Sequence, residues 1–212
     1  MRSESGGVFL TVEGGEGAGK TTCISCIKET LSENGIDAIF TREPGGTIIG
    51  EDIRKILLDP EYTGMAADTE LLLMFAARAE HINRVIKPAL AAGKWVVSDR
   101  FTDATYAYQG AGRGVSQERI SIIENFIQGD LRPYKTLLLD IPVAAGMKRV
   151  EERGHKDRFE KEKVDFFEDV RKLYLQRANN DVDRFIIIDA TEDIKMVQSR
   201  IKQSITSIIS EQ

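Results

Sequence analysis

A short apolar run, Val8 to Val12, empties into Gly14-Gly15-Glu16-Gly17-Ala18-Gly19-Lys20-Thr21, a complete GxxxxGK[ST] pattern. The chemistry of that pattern requires strand, loop and helix in this order, and Thr22 onward is helix-like, so the context is right. Its glycines let the backbone curl until successive N–H groups point inward at a polyphosphate, and the helix adds its positive N-terminal end to the same spot. Lys20 would reach the β and γ phosphates and Thr21 would offer its hydroxyl to Mg²⁺. A merely structural Gly-rich turn leaves a Lys and a Thr in register after the last glycine unexplained.

The chain has 212 residues, enough for one sizeable core and a single domain, 1–212. A net charge of −5 argues against nucleic acid as a partner, although arginine clusters can still build a positive pocket for a small anion. No apolar stretch approaches the roughly 20 residues needed to cross a bilayer, and the opening MRSESGG lacks the apolar segment of a signal peptide. The expectation is a soluble, cytoplasmic protein with no membrane partner. Cys23 and Cys26 form a CxxC, but both fall in the helix after the loop with no second Cys or His pair to complete a zinc site, and His81 and His155 are isolated. They read as small packing residues of a reduced cytosol.

Apolar runs of strand length recur at Val8 to Val12, Ala38 to Thr41, Trp95 to Ser98, Thr136 to Leu139 and Phe185 to Ile188. They are apolar throughout rather than at alternate positions, which predicts an α/β fold: a five-stranded parallel sheet sandwiched by helices. Helical periodicity covers Thr22 to Asn34, Gly50 to Leu58, Thr69 to Ala92, Ser116 to Gln128, Val143 to Arg153, Lys161 to Asn179 and Ile194 to Ile209, with Pro88 expected to kink the longest.

In such a sheet ligands bind beyond the carboxyl ends of the strands. The loop after the second run is Arg42-Glu43-Pro44-Gly45-Gly46-Thr47, and Asp99, Asp140 and Asp189 close the last three. A strand-end Asp in a chain with this loop suggests a carboxylate that holds Mg²⁺, but more often it caps the next helix or turn. The capping reading is taken for Asp140 and Asp189. Asp99 stands apart because Arg100 follows it and a polar, aromatic stretch, Thr102 to Arg113, comes next.

Phosphoryl transfer spreads negative charge over several oxygens, which arginine suits. Arg42, Arg54, Arg78 and Arg100 lie largely near strand ends. Arg149, Arg153 and Arg158 lie in the most charged stretch, 148–163, with Gly154 as a candidate hinge. That stretch reads either as a mobile lid that excludes water or as a solvated helix with i, i+4 ion pairs.

Taken together, EGGEGAGKTT, FTREPGGT, VVSDRFTDATYAYQGAGRG and ERGHKDRFE resemble the thymidylate kinase family, in its bacterial form, from Val8 to at least Ala190. The resemblance implies a P-loop nucleoside monophosphate kinase-like fold, phosphoryl transfer from ATP to dTMP with Mg²⁺, and a homodimer. It places the ATP phosphates on Gly14, Gly15, Glu16, Gly17, Ala18, Gly19, Lys20, Thr21 and Thr22. Lys20, Asp99, Arg100, Arg153 and Arg158 become catalytic, and Thr21 and Asp99 the metal residues. On the acceptor side it implies Glu16 at the sugar 3′-hydroxyl, Arg42, Arg54 and Arg100 as basic groups for the phosphate, and Tyr108 crowding the 2′ position. Thr105 and Gln109, four apart, share a face if their segment is helical and could reach the base edge, and Arg78 matches the family Arg that contacts the thymine and acceptor-phosphate region. Most family members carry a Phe four residues before that Arg; here the position is Met74 and Phe75 comes one later, so either is the base-stacking candidate. With Gly17 in place of a P-loop arginine, the chain resembles the subtype that supplies arginines from its lid, Arg153 and Arg158.

Rival readings are weaker. No NKxD occurs, as a GTPase switch would need. A kinase for another nucleotide would share the core, and a non-catalytic nucleotide-binding module would not need Lys20, Asp99 and the lid arginines together.

Overall fold

The computed structural model describes residues 6–154 and 157–212, the Arg153 side chain excepted. Strands β1 (Phe9–Gly14), β2 (Ala38–Arg42), β3 (Trp95–Asp99), β4 (Lys135–Asp140) and β5 (Phe185–Asp189) form one sheet in the order β2-β3-β1-β4-β5. Every neighbouring pair is parallel. β1, at the centre, is buried along its whole length, whereas the edge strands β2 and β5 are partly exposed. This explains why the sequence reads as continuous apolar runs rather than alternation.

The two sheet faces bury different partners. Val8, Leu10 and Val12 pack with Cys23, Ile27 and Leu31 of α1 (Lys20–Glu33) and with Ile201, Ile205 and Ile208 of α9 (Ile194–Ser210). Phe9 points to the opposite face, against Ile82, Ile86 and Phe101. Cys23 and Cys26 are free thiols, and burial pushes both up, away from reactive thiolate. α2 (Ile48–Leu58) begins at Thr47, whose hydroxyl accepts from the Gly50 N–H at 3.0 Å, an N-cap that fixes where the loop after β2 becomes helix.

The long periodic stretch is interrupted before Pro88 rather than at it. α3 (Ala67–His81) runs into a π-helical turn at Ile82–Ile86 and then α4 (Lys87–Ala91). A proline ring clashes with the carbonyl four residues back, and the wider turn moves that carbonyl aside. A second π turn, Tyr106–Gly112, continues the four-residue α5 (Thr102–Thr105), so Thr105 and Gln109 do lie on one helical segment. α6 (Gln117–Gln128), α7 (Val143–Arg153) and α8 (Val164–Asn180) complete the layers. Lys161 to Lys163, expected in the last of these, precede it as turn residues, and Gly154 ends α7 in the left-handed conformation at φ 89°. Among the described residues no helix is long and apolar enough to cross a membrane.

Candidate active site

The loop after β1 takes the conformation its glycines predict. Gly14, Gly17 and Gly19 have φ of 145°, 69° and 91°, a region side chains disfavour. Gly19 caps α1 with no side-chain hydrogen bond, so the helix presents its first N–H groups to the cleft without a built-in acceptor. Gly17 lacks room for a side chain altogether: a Cβ there would stand 2.1 Å from the Gly146 carbonyl oxygen of α7, and one on Gly146 would stand 2.3 Å from the Glu16 carbonyl oxygen. Lys20 Nζ folds back over the loop, donating to the carbonyls of Gly14 (3.2 Å) and Gly15 (3.1 Å). Burial, reinforced by the charge of Arg100, pushes its ammonium down.

Arg100 joins this loop to the far side of the cleft. Its backbone is left-handed at φ 67°, which costs a non-glycine residue about 1–2 kcal/mol. Three bonds hold it there: its N–H donates to the Val12 carbonyl (2.9 Å), the Ser98 hydroxyl donates to its carbonyl (2.7 Å), and the next amide, Phe101 N–H, donates to Glu13 Oε1 (2.7 Å). The guanidinium donates to Glu16 Oε1 (2.7 Å), Tyr108 Oη (3.0 Å), Tyr174 Oη (3.1 Å) and the Gly14 carbonyl (3.0 Å). Tyr108 donates to Glu16 Oε1 and Tyr174 to Glu13 Oε2, each at 2.7 Å. Burial alone would lower the Arg100 pKa, but this shell of oxygens raises it well above the ordinary range.

The other wall comes from α2, α3 and the second π turn. Arg78, on α3, donates through Nε to Glu43 Oε2 (2.7 Å) and through Nη2 to the Phe101 carbonyl (3.1 Å) and Thr105 Oγ1 (2.9 Å). Its Nη1 is buried with no hydrogen-bond partner. Glu43 also faces His81 Nδ1 at 2.9 Å, so His81 is a buried prop rather than an isolated histidine. Gln109 Nε2 donates to Glu70 Oε1 at 2.8 Å. Arg54 donates to the Pro44 carbonyl at 2.9 Å, and Arg42 pairs with Glu51 at 2.8 Å while half exposed.

Two expectations are corrected here. Met74 lines the cleft, but Phe75 turns into the core with Leu71, Tyr106, Ile120 and Leu173, because adjacent helix positions point about 100° apart. Arg158, expected over the phosphates, is buried and does not line the cleft. Its Nε donates to the Leu57 carbonyl (2.7 Å) and its Nη2 lies 2.7 Å from Glu70 Oε2, a close ion pair off the hydrogen-bond direction. Arg153 closes α7, but its side chain, like His155, lies outside the described residues.

These walls enclose a cleft of about 470 Å³, lined by Glu16 to Thr21, Arg42, Arg54, Met74, Arg78, Asp99, Arg100, Thr105, Tyr108 and Gln109 among others. Of the remaining predicted loop residues, Gly14 and Gly15 lend carbonyls to Lys20, and Thr22 lies in the first turn of α1. Lys20, Arg42, Arg54, Arg78 and Arg100 share the lining with Glu16, Glu43, Asp99, Asp157 and Glu160, and burial, then the neighbouring Arg42, pushes the Arg54 guanidinium down.

The three strand-end carboxylates differ. Arg171 clamps Asp140 with two bonds of 2.8 and 2.9 Å, an ion pair rather than the expected cap, and Asp189 accepts from the Thr191 N–H and hydroxyl in a turn. Asp99 lines the cleft with Oδ1 buried and without a hydrogen-bond partner. Among the described residues no three His, Cys, Asp or Glu side chains form a ready-made metal cage, so a cation here would need ligand oxygens as well. Thr21 and the orphaned Asp99 oxygen fit Mg²⁺ held in that way.

Several site residues escaped the sequence reading. Glu70 had a local signal: with Met74 and Arg78 it repeats every four positions, one helix face. Glu13 and Tyr174 had none, being 161 residues apart. Phe159, which lines the cleft, packs its ring edge-on to Tyr108 at 5.8 Å between centroids.

Comparison with known proteins agrees with this architecture. The family model described as thymidylate kinase matches residues 12–201. A thymidylate kinase of Pseudomonas putida is 54% identical over 203 residues, 96% of this chain and 97% of that protein. One of Halorhodospira halophila is 51% identical over 205 residues, 96% and 95% of the two chains. The crystal structure of thymidylate kinase from Ehrlichia chaffeensis superposes with a TM-score of 0.76 at 32% identity, covering 95% of this chain and 99% of that one. A match that runs through every wall of the cleft, at more than half identity to full-length relatives, means that this chain belongs to the thymidylate kinase family.

Proposed function

We propose that the cleft holds ATP and dTMP end to end and that the residues lining it divide the work of moving one phosphoryl group between them. The chain is a thymidylate kinase: it transfers the γ-phosphoryl group of ATP to dTMP, giving ADP and dTDP. The observation that carries the division of labour is the convergence of Lys20, Arg42, Arg54 and Arg100 on one cleft whose floor is the open N-terminus of α1.

At the donor end, the amides of Gly15 to Thr21 bind the β and γ phosphates, and Lys20 leaves the Gly14 and Gly15 carbonyls to follow the transferred group. Thr21 and Asp99 would hold Mg²⁺, which would neutralise charge on the phosphate oxygens. At the acceptor end, Arg42, Arg54 and Arg100 take the dTMP phosphate. Glu16, aligned by Arg100 and Tyr108, accepts from the sugar 3′-hydroxyl, and the Tyr108 ring fills the space a 2′-hydroxyl would need. Met74 offers a soft apolar surface to the base. The buried Nη1 of Arg78 is a donor for thymine O4, and Gln109, whose nitrogen faces Glu70, offers its oxygen to N3–H. Cytosine presents the reverse pattern at both positions, an amino group and a bare nitrogen, and leaves buried groups unpaired.

The single domain carries residues 148–163 as a lid, with Arg153 the cation that meets the γ-phosphate and Arg158 an anchor on Glu70. Exposed Ile48 and Ile49 on α2, Leu72 on α3, and Ile122 and Phe126 on α6 support a homodimer through these neighbouring helices; sedimentation velocity checks it. A cytoplasmic location is consistent with the family and is checked by cell fractionation. Incubation with ATP, Mg²⁺ and dTMP, dUMP, UMP, CMP or dCMP, following ADP release, tests the acceptor assignment. ADP formed fastest with dTMP supports it; release independent of acceptor rejects it.

A further inference from the structure

Glu70 is fully buried on α3, yet none of the roles above uses it as more than an anchor. Its carboxylate accepts from Gln109 Nε2 at 2.8 Å and Arg113 Nε at 3.2 and 3.3 Å, and Arg158 Nη2 stands 2.7 Å away as an ion pair. A carboxylate between two guanidiniums can only accept hydrogen bonds. Gln109 alone among its partners is an amide, a group that could turn either end toward the cleft.

We infer that Glu70 is a specificity-determining positioning residue: by demanding a donor from Gln109, it locks the amide with nitrogen inward and oxygen toward the base, before any nucleotide binds. The inference rests on the reading that Gln109 meets N3 of the acceptor base. A glutamine amide in water rotates between its two faces at little cost, and a flipped Gln109 would offer N–H to the cleft, the complement of cytosine N3 rather than of thymine N3–H. Flipping is opposed here because it would set a carbonyl oxygen against a carboxylate oxygen in a site closed to water. The two arginines enclose the carboxylate on its other sides, and Arg113 also pairs with Glu162 at 2.7 Å. One buried acid on α3 therefore fixes both the base-reading amide and the stem of the 148–163 segment.

The test is the ratio of kcat/KM for dTMP to that for dCMP in the wild type, Glu70→Gln and Gln109→Ala, with dUMP as control. In Glu70→Gln the new amide can present either of its ends, so Gln109 is free to flip. The expected result is a fall in the dTMP:dCMP ratio of about 10-fold or more, because one of the two mismatched groups finds a partner. The dTMP:dUMP ratio should hold, since thymine and uracil share this edge; a merely structural loosening lowers activity with every acceptor alike. If Gln109→Ala lowers the dTMP:dCMP ratio but Glu70→Gln leaves it unchanged, the Glu70 inference is overturned and the base reading stands. An unchanged ratio in Gln109→Ala overturns both. Should Glu70→Gln fail to fold, the wild type decides: the Gln109 side-chain NH₂ signals, assigned in ¹⁵N spectra by their loss in Gln109→Ala, should be protected from solvent exchange without nucleotide. Exchange as fast as that of a surface glutamine rejects the lock.

Discussion

Glu13 is a fully buried carboxylate at the end of the central strand, and its titration has a measurable consequence for stability. Burial first, then the nearby Asp103 carboxylate, pushes it from an ordinary 4.5 up to about 7, against the pull of Arg100 and the bonds from Tyr174 and Phe101. Between those values the folded protein holds a proton that the unfolded chain has released. The resulting stabilisation is complete below 4.5 and is lost as pH rises through about 7. Between pH 5 and pH 8.5 the loss amounts to about 2–3 kcal/mol, since each tenfold change in proton affinity is worth about 1.4 kcal/mol. Asp103 does not confuse the window. Its burial is outweighed by the bonds and charges of Arg184 and Arg177, which lower it, so its contribution is lost only under more acid conditions. In Glu13→Gln the amide oxygen still accepts from Phe101 N–H, and the NH₂ faces the Tyr174 oxygen at a cost that does not vary with pH. Urea unfolding of both proteins, followed by circular dichroism at pH 5 and pH 8.5, isolates the titration. Wild-type stability should fall relative to Glu13→Gln by the stated amount, and parallel pH dependences would refute the claim that Glu13 keeps its proton near neutrality.

Three further predictions concern the site. Arg153→Ala should lower turnover with ATP and dTMP by at least about 10³-fold, in line with a transition-state arginine, while raising the KM for dTMP far less; steady-state kinetics decides. Gly17→Ala puts a methyl 2.1 Å from the Gly146 oxygen at a φ of 69°, so it should cost about 2–4 kcal/mol in denaturant unfolding and raise the KM for ATP. Tyr108→Phe removes a donor to Glu16 Oε1 and should cost about 1–3 kcal/mol, seen as a lowered Tm by calorimetry, while the retained ring keeps the discrimination against UMP.

Much of this was legible because its signals are local. Five unbroken apolar runs give five parallel strands, and the glycine-lysine-threonine loop specifies its own geometry, since φ values near 69° and 91° leave few residues a choice. The strand order was not legible, because nothing between Ile39 and Leu58 marks that β2 pairs with β3 instead of β1. Pro88 signalled a disturbance in its helix but not its place, and no residue announced the π turn at Tyr106–Gly112 that carries Tyr108 and Gln109. Of the carboxylates that orient the site, Glu13 and Glu43 looked like ordinary acids of an acidic chain, and the helix face Glu70 shares with Met74 and Arg78 did not name its partners. Their role arises from burial against Tyr174, Arg78 and Arg158, contacts that span 161, 35 and 88 residues and leave no trace in spacing. Arg158 shows the converse: the family resemblance put it with the phosphates, but Glu70, buried on α3, claims it.

The central claim is that one cleft directs the γ-phosphoryl group of ATP to dTMP rather than to water. Following γ-labelled ATP with Mg²⁺ and dTMP by chromatography of the nucleotides measures this directly. The label should appear in dTDP in step with ADP, and without dTMP it should stay in ATP. Label released chiefly as inorganic phosphate, at a rate indifferent to dTMP, would contradict the account.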